Sequence, residues 1–336
     1  MKKAVVVLLA IMLIGISVGC GGGSEKGSAE SKPKYELHAA YSTPDSEYDQ
    51  HSRLFKIFKE EVEKRTNGEI KVVLHPAGEL GGEREYIEML QSGDLAFADL
   101  AASVLSGFTD ALRFLDMPYL FEDGEEAYEF FKSDIAKEKL KKLEEIGLVG
   151  LALSTAGSRN FLTVKDKPIN SVDDLKGLKI RVMETPMHIE AMKLFGAQPT
   201  PMAYTECYQA LQTKTIDGME NQIPTYISAR LYEVAPNYAI VGWFHQNHVF
   251  LASKKIMDEL PEEYQQIIKE VAEDAANQVS EWTVNFDKNE GINKLKELGV
   301  NITYPDTTPM FEKAKVLKEK YKDVIGEDVL KWLEEH

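Results

Sequence analysis

The sequence predicts an α/β protein with a largely parallel sheet, organised as two domains. Strand and helix patterns alternate along the chain, the arrangement that packs helices on a mostly parallel sheet. The chain has 336 residues, and at roughly 100–200 residues per domain that is two units, each large enough to bury a core. Its composition, 43% hydrophobic and 28% charged, excludes a fully disordered or collagen-like chain.

The elements follow in order. Tyr35–Ala40 alternates as a strand and closes on the turn-forming Ser42-Thr43-Pro44-Asp45. Across Asp49–Asn67, Leu54, Phe55, Phe58 and Val62 fall on one helical face, and Asn67-Gly68 stops the helix. Ile70–His75 is a strand, Glu83–Ser92 a helix stopped by Gly93, and Leu95–Leu100 a third strand. Glu125–Ile146 reads as one long amphipathic helix ending at Gly147, and Leu148–Ser154 as a strand. Ser171–Leu175 is a capped helical turn, Lys179–Val182 a strand, Pro186–Phe195 a helix and Thr205–Thr213 another helix. A short strand is expected near Gly218 and another over His248–Ser253. Pro261–Leu298 is helical throughout, longer than a usual globular helix, and is either two helices or one spanning helix.

Lys and Arg total 39 against 55 Asp and Glu, a formal charge of −16. No basic run offers cations to a phosphate backbone, so no nucleic-acid partner is expected. An acidic surface repels anions at long range, so an anionic ligand would need a few local cations inside a cleft.

Lys2 and Lys3, the apolar stretch Ala4–Gly19 and the small residues before Cys20 describe an export signal, too short to span a membrane comfortably. Ser17-Val18-Gly19-Cys20 resembles a bacterial lipobox, with Ser17 where Leu is usual. The resemblance implies that residues 1–20 are a lipoprotein signal, that Cys20 carries lipid, and that the chain is tethered to the outer face of a membrane. Residues 21–34 are rich in Gly, Ser, Lys and Glu and read as a flexible linker. Cys207 then remains as the other cysteine, a small buried hydrophobe by expectation.

From Pro168 to Asn221 the pattern becomes specific. Pro168–Val182 reads PINSVDDLKGLKIRV, followed by Gly196-Ala197-Gln198-Pro199-Thr200-Pro201-Met202, Ala210-Leu211-Gln212-Thr213 and Ile216-Asp217-Gly218-Met219-Glu220-Asn221. With Gly78–Glu85, Leu115–Phe121 and Leu260–Glu263, this ordered series resembles the extracytoplasmic solute-binding proteins of TRAP (tripartite ATP-independent periplasmic) transporters, over essentially residues 35–330. The resemblance implies a two-lobed, periplasmic-binding-protein-like α/β fold with a ligand cleft between lobes and a long bridging helix. Lobe I would be 35–156 plus 245–286, and lobe II 157–244 plus 287–336. It also implies a non-enzymatic protein that captures a small organic anion, a dicarboxylate or a sugar acid, for a small and a large membrane subunit. The alternative partner is a membrane sensor kinase.

The site residues come from the same resemblance. Arg181 stands where the family holds the Arg that pairs with a substrate carboxylate, and a guanidinium fork matches a carboxylate bidentately. Arg159 matches a second cleft Arg that could complete the cage. Asn221 matches a polar ligand contact, since an amide both donates and accepts; its neighbours Asp217-Gly218 alone would be only a tight turn. Tyr204 matches an aromatic that stacks on the ligand, although a plain packing role is equally open. Asp99 is at a strand end that faces the ligand in relatives; it would receive substrate hydroxyls or cap the following helix. The loop Ala40–Thr43 is expected to face the cleft too.

Other classes find little. His245 with His248, or His188 with Glu190, offer too few ligands for a metal centre. No G-x-S-x-G, G-x-G-x-x-G or P-loop pattern is present, so neither metal nor cofactor is expected.

Overall fold

Alternating burial shapes the first strands of the chain, whose computed structural model describes residues 32–336. The expected signal, most of the linker and Cys20 lie outside these residues. Lys34 is already tied down, its N–H donating to Glu69 O at 2.8 Å. The strands are β1 (Tyr35–Ala40), β2 (Ile70–His75), β3 (Phe97–Ala101), β4 (Leu148–Thr163), β5 (Lys179–Val182), β6 (Gln198–Pro201), β7 (Gly218–Asn221), β8 (Asn237–Ser253) and β9 (Asn301–Thr303). They form one sheet in the order β2-β1-β3-β8-β4-β7-β5-β6, with β9 pairing β8.

The parallel sheet expected from the βα alternation is present at both ends. β1 pairs parallel to β2 and β3, and β5 parallel to β6 and β7. The centre differs, because β4 and β8 form an antiparallel ribbon along their whole lengths. One half of that ribbon carries β3, through Phe97↔Ala252 to Ala101↔His248. The other half carries β7, through Asn160↔Asn221 to Thr163↔Gly218. The ribbon thus joins two smaller sheets, and its register shifts at Gly150/Ala152, Thr155/Gly157 and Arg159/Phe161.

Both ribbon strands are longer than their local patterns indicate. β4 continues past Ser154 through Thr155-Ala156-Gly157-Ser158, a stretch that reads as a turn, because β8 supplies partners for its backbone. Gly157 sits in the left-handed region at φ 103°, and a Cβ there would come within 2.6 Å of Asp287 Oδ2, so the shift needs glycine.

Two expected helices are interrupted. The stretch Glu125–Ile146 is a helix over Gly124–Lys132, a second over Asp134–Lys141 and a 3₁₀ turn over Lys142–Ile146. Ser133 is extended between the first two, and its side chain accepts from Ala136 N–H, which caps the second helix. The stretch Pro261–Leu298 is the helix Glu262–Asn289 followed by Gly291–Glu297. At the junction Gly291 meets Ile223 so closely that a Cβ would lie 3.0 Å from its Cδ1. Thr205–Thr213 begins as a 3₁₀ turn at Tyr204–Glu206 and is α-helical only over Cys207–Gln212.

The helix Gln50–Arg65 is capped by Asp49, which accepts from Ser52 N–H at 2.9 Å. It buries Leu54, Phe55, Phe58 and Val62 against β1, β3 and the long helix Glu262–Asn289; each fully buried side chain contributes about 1.5–3 kcal/mol. The long helix packs Ile267 to Val279 in that core and Phe286 in another core with Leu162, Met219 and Tyr238. Near the C terminus, helix Thr308–Lys320 places Lys320 on Glu190. Helix Glu327–Glu335 sets Trp332 on Phe130 and Asp328 on Lys139.

Candidate functional site

Arg159 within β4, the ends of β5 and β7, the middle of β8 and the start of helix Gln50–Arg65 converge on a cavity of about 350 Å³. That volume suits a small ligand. Arg159, Arg181, Tyr204 and Asn221 all line it, as do Ser42 and Thr43 of the expected first loop.

The two arginines differ in what holds them. Arg159, on β4, donates from Nε to the Glu220 carboxylate, from Nη2 to the Glu220 carbonyl at 2.7 Å, and from Nη1 to Gln246 Oε1 at 2.5 Å and Gln222 Oε1 at 3.2 Å. Glu220 is wholly buried on β7, so the pair is a buried, hydrogen-bonded ion pair. The sequence reading of a second free cation is therefore modified: Arg159 reaches the cavity with its charge already matched.

Arg181, on β5, is 3% exposed. Its Nε and Nη2 donate to the Met202 carbonyl at 3.0 and 2.8 Å, which fixes the plane of the guanidinium. Among the described residues no carboxylate lies within 4.0 Å of it. A guanidinium remains charged in proteins, and a buried charge without a partner is costly.

Asn221 ends β7. Its Oδ1 accepts from Gln222 N–H at 2.9 Å, whereas Nδ2 is buried without a partner among the described residues. The Tyr204 hydroxyl is likewise buried and unpartnered, and burial pushes its pKa well up. Buried polar atoms in folded proteins are nearly always satisfied, so two unpaired ones beside one cavity are unusual.

Asp99 departs from the sequence reading. It sits mid-strand on β3, opposite Phe250, and neither lines the cavity nor caps a helix. Helix Gln50–Arg65 lays His51 over it, with His51 Nδ1 2.7 Å from Asp99 Oδ2. His248 Nδ1 is 3.7 Å from the same oxygen. The two imidazoles, which do line the cavity, stack at 4.1 Å and 15°. Burial alone would lower the His51 pKa, but the Asp99 carboxylate reverses this and holds it up at about 9. Burial lowers His248 well below the usual range, with His51 adding to the effect.

His51, Gln222 and Gln246, which line the cavity, and Glu220, which holds Arg159, were not singled out from sequence, and His248 was considered only as a metal ligand. Glu220 offered a signal, as a lone acid in a short strand that is otherwise fit for burial. Of the residues weighed and set aside as metal ligands, His188 and Glu190 have other partners. His188 packs on Trp243 and Phe244, while Glu190 bonds Lys320 and Tyr321. Cys207 is buried, as expected, and burial raises its thiol pKa.

Residues 40–323 match the family described as bacterial extracellular solute-binding protein, family 7 (DctP). This chain belongs to that family. The solute-binding protein is 31% identical over 302 residues to the 2,3-diketo-L-gulonate-binding periplasmic protein YiaO of Escherichia coli, covering 90% of each chain. Among solved structures, a TRAP periplasmic solute-binding protein from Polaromonas bound to D-erythronate superimposes with a TM-score of 0.83 and 31% identity, over 89% of this chain and 98% of the other. The sugar acid-binding protein DctPAm of Advenella mimigardefordensis, in complex with galactonate, superimposes with a TM-score of 0.83 and 28% identity, over 90% and 97%. The fold is therefore the two-lobed α/β fold of TRAP solute-binding proteins, and the family consists of extracytoplasmic binding proteins, not enzymes. Among the described residues no helix is long and apolar enough to cross a membrane.

Proposed function

We propose that this solute-binding protein captures a small organic anion by pairing the ligand carboxylate with Arg181 and delivers it to the small and large membrane subunits of a TRAP transporter. The observation that carries the reading is the buried Arg181 guanidinium, oriented by Met202 and lacking a carboxylate within the described chain. Asn221 Nδ2 and the Tyr204 hydroxyl supply polar contacts. Arg159, neutralised by Glu220, forms a polar wall that also lends donors. The three relatives above are named for, or hold, 2,3-diketo-L-gulonate, D-erythronate and galactonate, which supports a sugar acid over other small anions.

The lobes divide as 35–156 plus 245–286 and 157–244 plus 287–336, with the final helix reaching back onto Phe130 and Lys139. The switch of ribbon neighbours between His248 and Asn160 supports that division. Lipidated Cys20 and the 21–34 linker tether the protein to the membrane that holds its transporter.

Calorimetric titration with a panel of sugar acids and dicarboxylates, followed in parallel by small-angle scattering, tests the reading. Arg181→Ala should weaken the best ligand by about 2–5 kcal/mol, and the parent should contract as its lobes close on ligand. Undiminished affinity in Arg181→Ala would sink the clamp, and an unchanged radius of gyration would sink the two-lobe closure.

A further inference from the structure

His51 is held on three sides. Asp99 Oδ2 pins Nδ1 at 2.7 Å, His248 stacks on one face at 4.1 Å, and Tyr41 stacks at 6.1 Å and 20°. Nε2 has no partner among the described residues, although the ring lines the cavity. So much fixation leaves one atom free to act, and that atom belongs to the ligand side.

Arg159 and Glu220 cancel. The His51–Asp99 pair holds one extra proton at neutral pH, and wherever that proton sits across the 2.7 Å contact the pair is neutral overall and Nε2 carries a hydrogen. Burial keeps His188 and His248 uncharged. Among the described residues, Arg181 is then the one buried cation without an acidic partner, while buried Asp49, held by Thr43, Ser52 and Ser228, has no cation within 4.0 Å. Half-buried Glu83, which accepts from Ser42 Oγ at 2.7 Å at the cavity wall, makes a second negative charge less welcome still.

We propose that His51, braced by Asp99, is a second ligand-reading group, donating from Nε2 to an uncharged oxygen of a ligand whose one carboxylate pairs with Arg181. The ligand class is therefore a hydroxylated monocarboxylate, not a dicarboxylate. This inference rests on the Arg181 clamp proposed above. One carboxylate pairs with Arg181, whereas a second would be buried near Asp49 and Glu83 without a cation to offset its desolvation. Hydroxyls suit the remaining groups, since Nε2–H and Asn221 Nδ2 donate while the Tyr204 hydroxyl does either.

A metal ion is the other use for His51, Asp99 and His248, whose ligand atoms lie within 4.8 Å of one another. The stacking argues against it. Imidazole lone pairs lie in the ring planes, and two rings inclined by 15° and centred 4.1 Å apart do not direct them at a common point.

Two matched sets of probes test the proposal by calorimetry on the mature protein: D-galactonate, galactarate and galactitol, and D-erythronate, meso-tartrate and erythritol. Each set holds the carbon skeleton constant and carries one, two or no carboxylates. The monoacid of at least one set should bind, its diacid on the order of a hundredfold more weakly, and its polyol not measurably. A diacid that binds as tightly as its monoacid, or binding that requires an added divalent metal, overturns the inference and leaves the clamp standing. A polyol that matches its acid, or no binding in either set, overturns the clamp reading itself.

His51→Phe keeps a stacked ring and removes the donor, and should cost about tenfold or more in monoacid affinity. His51→Gln, which keeps a donor, should recover part of the loss. Unchanged affinity in a folded His51→Phe protein overturns the assignment. Nitrogen NMR of histidine-labelled parent protein gives a readout free of substitution: the His51 Nε2 resonance should move on adding monoacid, and a static resonance overturns the donor role.

Discussion

Glu220 is wholly buried, and its carboxylate accepts from Arg159 while its own carbonyl accepts from the same guanidinium. Glu220→Gln would leave Arg159 as an uncompensated buried cation. Removing one partner of such a pair costs about 3–5 kcal/mol, so the variant should unfold at distinctly lower denaturant concentration. It should also shift ligand preference, because two unmatched cations now face the cavity. The ratio of diacid to monoacid affinity is expected to rise, measured by the same titrations as the parent. An unfolding midpoint equal to the parent's would show that the pair does not brace the cleft. Arg181 and Asn221 were legible in the sequence, each standing at its place in an ordered run of motifs. His51 was not, for it lies a turn from Leu54 and Phe55 on the buried face of its helix, where a histidine reads as core. Only the helix's seat on β3 brings it to Asp99.

The β4–β8 ribbon is where elements decide behaviour. Two of its three register shifts lie between Thr155 and Phe161, and Asp287 of the long helix abuts them, accepting from Ser158 N–H at 3.2 Å with Oδ1 buried and unpartnered. Burial raises the Asp287 pKa from 3.8 to about 7. Across that window the folded chain retains a proton that the unfolded chain has released, so the contribution of Asp287 to stability falls as pH rises towards 7. Asp287→Asn removes the titration, and its stability relative to the parent should be greater at pH 8 than at pH 5 in denaturant unfolding. An equal difference at both pH values would mean that Asp287 does not ionise in this window. Strand and helix starts were largely readable, through their alternation and caps. Lengths were less so: β4 was expected to end at Ser154 and runs to Thr163, since a partner strand about ninety positions downstream satisfies a backbone that looks locally like a turn.

At the scale of the whole molecule, the proposed lipid tether would set where the protein works, and the formal charge is −16. Cys20→Ala should move it from the membrane fraction to the soluble extracytoplasmic fraction on cell fractionation. Retention of the variant in the membrane fraction would remove the anchor proposal. The acidic surface does not prevent capture of an anion, because charges more than a Debye length away, about 8 Å at physiological salt, are largely screened. A ligand carboxylate paired with Arg181 as proposed would sit at contact distance from a guanidinium that is itself buried.

The order of strands and helices, the family and the candidate arginines are written in the linear chain, because apolar periodicity, caps and short ordered motifs are local in sequence. Which arginine is free is not written there. Arg159 and Arg181 stand in similar contexts along the chain, and their difference arises when β4 pairs with β7 and sets Glu220 against one of them alone. Charge compensation depends on distances of a few ångströms between residues far apart in sequence, so it was settled by the fold.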